Sequence, residues 1–412
     1  MTLDLTLITG MHGILNNDNV VRGPIVMVLG IRPDIIRASI IIREMRSRLK
    51  NDFKLIWSGQ HYSDNLKDIF FRELEVDPPD IELAISGESD AQLTANMISR
   101  LSDVLVEMVP EATVFLGDTN TVMGSIAAAQ LNIPIFHIEG CMRSYDWRMP
   151  EEKYRTVVDH LSDHIYAYTE PYKIQGIAEG IPASSITVTG NPIVDVLDEY
   201  FLSGKLRLTD VELNNLLSSN YGVEIRDYLV MTCHRRENVE NINSLKRIFE
   251  LAARTEKKVL FFAGYRTQKM ISHFKLQLPA NLIMFDPIGY LELLELIYAS
   301  YGVLTDSGTI VEEAAIIGVP TIQLRKSTER PQVYEFGASI KYDPLGSTSI
   351  DEVLLKIEKI QSSKWQHTFG DGTASYKIAE DLCNRYLSKN FRGHTPAEYE
   401  PYSTISYQND QI

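Results

Sequence analysis

Several things are scarce in this sequence, and each scarcity closes off a class of function. Only three cysteines, Cys141, Cys233 and Cys383, stand among 412 residues. Odd in number and without paired spacing, they give neither a disulfide framework nor a zinc signature, and they suit a reducing compartment. No uninterrupted apolar run is long enough to cross a bilayer, and no basic stretch precedes an apolar one at the N-terminus. The expectation is a cytoplasmic protein with no membrane partner. Positive charge is short as well. Against 55 Asp and Glu stand 40 Lys and Arg, a net charge of −15, which argues against nucleic acid as the main partner. An anionic small molecule stays open, because a local arginine cluster outweighs the global field. No Gly-x-Gly-x-x-Gly follows a strand, so no NAD is expected, nor any other cofactor or metal.

What remains is an ordinary globular composition, 44% hydrophobic and 23% charged, in a chain long enough for two full cores. Short apolar runs alternate with helical patterns, and the alternation runs twice. In the first half the runs are Pro24–Leu29, Phe53–Trp57, Val114–Leu116, Ile135–Ile138, Ile165–Tyr168 and Ile186–Val188. A polar linker is read around Ser203–Asn220. The second half supplies Tyr228–Thr232, Val259–Ala263, Leu282–Phe285, Gly302–Thr305 and Thr321–Leu324. Such alternation predicts an α/β fold of two Rossmann-like domains facing across a cleft. The expected boundaries are an N-terminal extension over 1–22, a first domain over 23–195, a second over 196–389 and a polar tail over 390–412.

Chemistry concentrates where these runs end. Val114–Leu116 stops at Gly117-Asp118 and Ile135–Ile138 stops at Glu139-Gly140, so neighbouring strands each deliver a carboxylate to the end where open α/β sheets bind ligands. Thr119 is placed to cap the next helix. A further helix opens at Pro150-Glu151-Glu152. Single acids at such places are commonly caps or dipole partners; Asp118, Glu139 and Glu152 together point to acid/base work. Gly30-Ile31-Arg32-Pro33-Asp34 is a strand-to-helix turn of the kind that binds anions, with Arg32 and Arg37 as added cations. Asp306-Ser307-Gly308 is a second such turn, and Glu313 lies one turn further on, placed to accept two ribose hydroxyls. His234-Arg235-Arg236 adds cations. Cys233 beside His234 is weighed as a thiol nucleophile and set aside, because adjacent residues at a strand end point apart.

Taken together, these motifs resemble the non-hydrolysing UDP-N-acetylglucosamine 2-epimerase family. Added to those above are Ser58-Gly59-Gln60-His61, His137-Ile138-Glu139, Thr189-Gly190-Asn191, His234 through Asn238, and Thr328-Glu329-Arg330-Pro331. They fall in the family's order between about Gly23 and Arg385. The resemblance implies a glycosyltransferase-B-like fold, a UDP-sugar substrate, a homodimer, and elimination and re-addition of UDP at the sugar. It implies Asp118, Glu139, Glu152 and His234 as catalytic groups. Arg32, Arg37, Arg235, Ser307, Gly308, Glu313 and Arg330 become nucleotide contacts. Ile31, Asp34 and Arg37 depart from the usual first motif, and Thr309 follows Gly308 where a second glycine is usual. With Arg148 through Glu152 and Tyr265-Arg266-Thr267, these departures lean towards the branch acting on modified UDP-2-acetamido sugars. A hydrolysing epimerase, a glycosyltransferase and a nucleotide-sugar sensor are the alternatives on the same cleft.

Overall fold

A computed structural model describes residues 22–59 and 71–391 of the chain. The Gln60-His61 motif, nearly all of the N-terminal extension and most of the polar tail lie outside the described residues. Two parallel sheets carry the architecture. The first has seven strands: β1 (Ile25–Leu29), β2 (Phe53–Trp57), β3 (Ile81–Glu82), β4 (Ala112–Leu116), β5 (Ile135–Ile138), β6 (His164–Ala167) and β7 (Ile186–Val188), in the order β3-β2-β1-β4-β5-β6-β7. The second has six: β8 (Tyr228–Thr232), β9 (Lys258–Phe262), β10 (Leu282–Phe285), β11 (Gly302–Thr305), β12 (Thr321–Gln323) and β13 (Ser339–Lys341), in the order β10-β9-β8-β11-β12-β13. Strands covered by helices on both faces bury every residue. That is why β1, β4, β5 and β8 read as apolar runs without regular polar alternation, interrupted only by Thr113, His137 and Thr232.

Both sheets reverse their strand order at one place, between β1 and β4 in the first and between β8 and β11 in the second. Crevices open at the carboxyl ends of strands where the order reverses. Register makes the first crevice level. Leu116 pairs with Ile138, so the loops carrying Asp118 and Glu139 leave the sheet at the same height. The two crevices meet in a cavity of about 610 Å³ whose walls come from both domains. This is two Rossmann-like domains facing across a cleft, as the alternation of the sequence predicts.

Some local expectations change. Thr119 precedes a 3₁₀ turn over Asn120–Gly124, and the α-helix begins only at Ser125; Thr119 makes no side-chain cap. Ser203–Asn220, read as a polar linker, contains a helix over Asp210–Leu216 opened by a Thr209/Glu212 capping box. Strands β3 and β13 are short edge pieces that the pattern did not reveal. The last helix, Ala374–Ser388, returns to the first sheet, where Ile378, Leu382 and Tyr386 join the core of Ile25, Met45 and Phe136.

Candidate active site

The turn after β1 spends its amides internally. The N–H groups of Gly30 and Ile31 both donate to the Asp34 carboxylate at 3.2 Å, so the anion at this helix start is the chain's own. Burial pushes the Asp34 carboxyl up to about 6, with Arg37 and the two amides opposing it. Arg32 opens the Arg32–Leu49 helix without lining the cavity. Arg37 lies one turn on and does line it, held between Asp34 (3.3 Å) and Glu139.

Of the three expected acids, Asp118 alone lines the cavity, its side chain 24% exposed. Burial works to raise its carboxyl, but the charge of Arg155, reinforced by Arg330 and by an ion pair with Arg155, holds it below the ordinary range. Glu139 sits just behind, in left-handed backbone at φ 76°. It bridges two guanidinium groups, Arg37 from its own domain and Arg330 from the other at 2.7 Å. Glu152 has its acceptor positions filled. It takes the N–H of Ser144 (2.9 Å), the N–H of Tyr145 (2.7 Å), the Ser144 hydroxyl (2.9 Å) and Arg155 Nη1 (2.5 Å). Arg155 therefore ties Glu152 to Asp118.

In the second domain Asp306 is an organiser, buried, accepting from the N–H of His234 and of Arg235, from Asn238 Nδ2 and from the Cys233 thiol. Burial would raise its carboxyl, yet the His234 charge and these bonds leave it lowered. The result is that the loop after β8 presents His234, 55% exposed, and Arg235 to the cavity. Burial and the Asp306 charge push the Cys233 thiol far up, so the thiol stays protonated and inert. Ser307 caps the Gly308–Ile316 helix by accepting from the N–H of Ile310 (3.4 Å), which aims the helix start, with Gly308 and Thr309, at the same space. Glu313 is packed beside Tyr290, off the cavity wall and 2% exposed, and burial holds its carboxyl up at about 7. Arg330 lines the cavity and is gripped by Glu139, Glu312 (2.9 Å) and Glu329.

Two groups escaped the sequence reading. Arg155 was signalled only by its i, i+3 spacing from Glu152 on an exposed-looking helix. Glu329 lies in a quoted motif, but its role emerges only where Arg325, Arg330, Arg235 and Arg155 converge on it and, against burial, hold it far below the usual carboxylate range. Among the described residues no cluster has the makings of a metal site.

This arrangement has known counterparts. The family model for UDP-N-acetylglucosamine 2-epimerases matches residues 43–383. The chain belongs to that family. It is an enzyme, an isomerase by family. A UDP-N-acetylglucosamine 2-epimerase of Methanocaldococcus jannaschii is 36% identical over 365 residues, covering 86% of this chain and 98% of the relative. The crystal structure of the M. jannaschii enzyme in complex with UDP-GlcNAc and UDP superposes with a TM-score of 0.79 at 34% identity, over 88% of this chain and 99% of that one. A UDP-2,3-diacetamido-2,3-dideoxy-D-glucuronate 2-epimerase of Pseudomonas aeruginosa is 30% identical, covering 87% and 99% of the two chains. The fold is thus of the glycosyltransferase-B-like kind that the family shares.

Proposed function

We propose that this family member inverts C2 of UDP-N-acetylglucosamine, giving UDP-N-acetylmannosamine without net hydrolysis. The observation that carries the reading is the make-up of the cleft: Asp118, Asp146 and Glu151 with Arg37 on the first-domain wall, and His234, Arg235, Arg236 and Arg330 with a helix start on the second. A nucleotide diphosphate on the second wall places its sugar against the first. In the proposed sequence a base takes the C2 proton, the C2–H electrons form the C1–C2 double bond, and the C1–oxygen bond to UDP breaks. The 2-acetamidoglucal then receives a proton on the opposite face of C2 as UDP re-adds to C1. The C2 proton is weakly acidic, so stabilising the departing diphosphate matters as much as the base. His234 and Arg235, with the N-terminus of the Gly308–Ile316 helix, are proposed for that task, with Arg32 and Arg330 as further nucleotide contacts.

Asp118 is assigned the place nearest the reacting carbons. Glu139 and Glu152 act beside it through Arg37, Arg330 and Arg155. Glu313 is proposed to accept the ribose hydroxyls, and unchanged UDP affinity in Glu313→Ala would remove it from the site. Asp118→Asn should lower kcat by roughly a thousandfold while UDP still binds; a wild-type rate would sink the assignment. The deciding experiment is proton NMR with UDP-N-acetylglucosamine in deuterated buffer. The expected product is a manno-configured UDP-sugar deuterated at C2, with no lasting free UDP. Accumulating UDP and free sugar would instead mean a hydrolysing epimerase. One second reading has its own support. The diacetamido-uronate relative, together with Arg148, Arg236 and Arg266 around the cavity, favours testing UDP-2,3-diacetamido sugars in the same assay.

A further inference from the structure

The loops carrying Asp118 and Glu139 are joined by one side chain that touches no solvent. His137, on β5, is 0% exposed. Its Nε2 lies 2.8 Å from the carbonyl oxygen of Gly117, the residue before Asp118. Its Nδ1 lies 2.7 Å from Asp159 Oδ1. A carbonyl oxygen can only accept, so Nε2 carries a hydrogen. Asp159 takes Arg143 Nη1 (2.7 Å) and the N–H of Cys141 (3.0 Å) on its other oxygen. The buried ion pair with Arg143 keeps Asp159 a carboxylate. An ionised carboxylate also only accepts, so Nδ1 carries a hydrogen too. A ring with two N–H groups is an imidazolium.

The charged groups around it balance. Asp159 faces the ring from the Pro150–Leu161 helix. Arg143, from the loop after β5, pairs with Asp159 and with Glu179 (2.7 Å). Two cations and two anions form a neutral set, which is what lets a charge survive full burial. The neighbouring Cys141 thiol is pushed up by burial and stays uncharged. Gly140 closes over the pair: a Cβ there would stand 2.7 Å from Asp159 Oδ1 and 3.1 Å from His137 Nδ1. The loop it closes is held in costly backbone, with Glu139 at φ 76° and Cys141 at φ 65°. Such conformations persist only where surrounding bonds over-determine them.

We propose that His137 is a buried positioning residue with a hydrogen on each ring nitrogen, whose two N–H bonds clamp the Asp118 loop to the Asp159-anchored loop that carries Glu139. Its catalytic consequence rests on the epimerase reading above; its charge state does not. The full chain, labelled with ¹⁵N-histidine, would be observed by long-range ¹⁵N–¹H correlation from about pH 6 to about pH 9. One imidazolium signal should persist to the top of that range and turn into a neutral-ring pattern in Asp159→Asn. His137→Gln assigns it; if that variant does not fold, the Asp159→Asn change makes the assignment. If every ring titrates to a neutral tautomer near the ordinary value of about 6.5, the proposal is overturned. In turnover, Asp159→Asn should lose about 10–100-fold in kcat with KM within about twofold. A kcat equal to wild type with the NMR change present would overturn the positioning role while leaving the epimerase reading intact.

Discussion

Glu313 shows at the scale of a single residue how burial becomes a pH dependence. Its carboxyl is held at about 7 against an ordinary 4.5. Between those values the folded protein keeps a proton that the unfolded chain has lost, so stability falls as pH rises through the window and stays down above it. Glu313→Gln should therefore be more stable than wild type at about pH 8, by up to about 3 kcal/mol in denaturant melts, and lose most of that advantage near pH 5. Asp34, raised from 3.8 to about 6, slopes the same way over a lower range. If Glu313 meets ribose as an anion, UDP binding also releases its proton. Calorimetry near pH 6.5 in buffers of different ionisation enthalpy should show more proton release for wild type than for Glu313→Gln. Neither shift was legible in the sequence. The strand-end rule located Asp118 and Glu139, because a parallel sheet puts every such residue at one mouth. It could not say that Arg37 and Arg330 would close on Glu139, since those partners are 102 and 191 residues away.

At the scale of an element, the Gly308–Ile316 helix is fixed at its start by two small residues. Ser307 supplies the cap, and Gly308 leaves space for Arg330: a Cβ there would fall 2.4 Å from Arg330 Nη1 and 3.0 Å from Glu329 Oε1. Ser307→Ala should cost about 1 kcal/mol in denaturant melts, and weaken UDP as well if the helix start holds phosphate. Gly308→Ala should displace Arg330 from Glu139, which a double-mutant cycle with Glu139→Gln would register as strong non-additivity. Most strands were readable from apolar runs bounded by turn residues, and begin and end within a residue or two of expectation. Strands β3 and β13 were not, because edge pieces of two and three residues carry too little pattern to stand out. The 3₁₀ turn at Asn120–Gly124 escaped for another reason. Gly124 packs against Leu101 and Met97 of a distant helix, a constraint with no trace in the local sequence.

Across the whole molecule, the two domains share an apolar seam, where Val194 packs with Val311 and Ala315, buried bonds from the Tyr172 hydroxyl to the Glu329 carbonyl oxygen and Gln332 Oε1, and polar contacts that run from rim to interior. Arg236 and Asp90 pair at the rim at 2.8 Å, both well exposed. Ser327 donates to Asp146 at 3.0 Å. Arg330 meets Glu139 in the interior. Screening and side-chain entropy make the rim pair worth about 0–1 kcal/mol, and salt-sensitive. Asp90→Ala should therefore leave the radius of gyration in small-angle scattering nearly unchanged, whereas Glu139→Gln should enlarge it in the absence of ligand. That both sheets reverse strand order at the shared cavity was implicit in the sequence once two halves of βα alternation were seen. The return of the final helix was not, because its apolar face reads the same whichever sheet it covers. That return has a consequence for synthesis. The first sheet is translated early, yet Tyr166 waits for Asp381 (2.7 Å) and Met45 for Cys383 (3.8 Å). The later-made sheet can close on itself first, while the earlier one stays unsealed on the ribosome until the Ala374–Ser388 helix emerges.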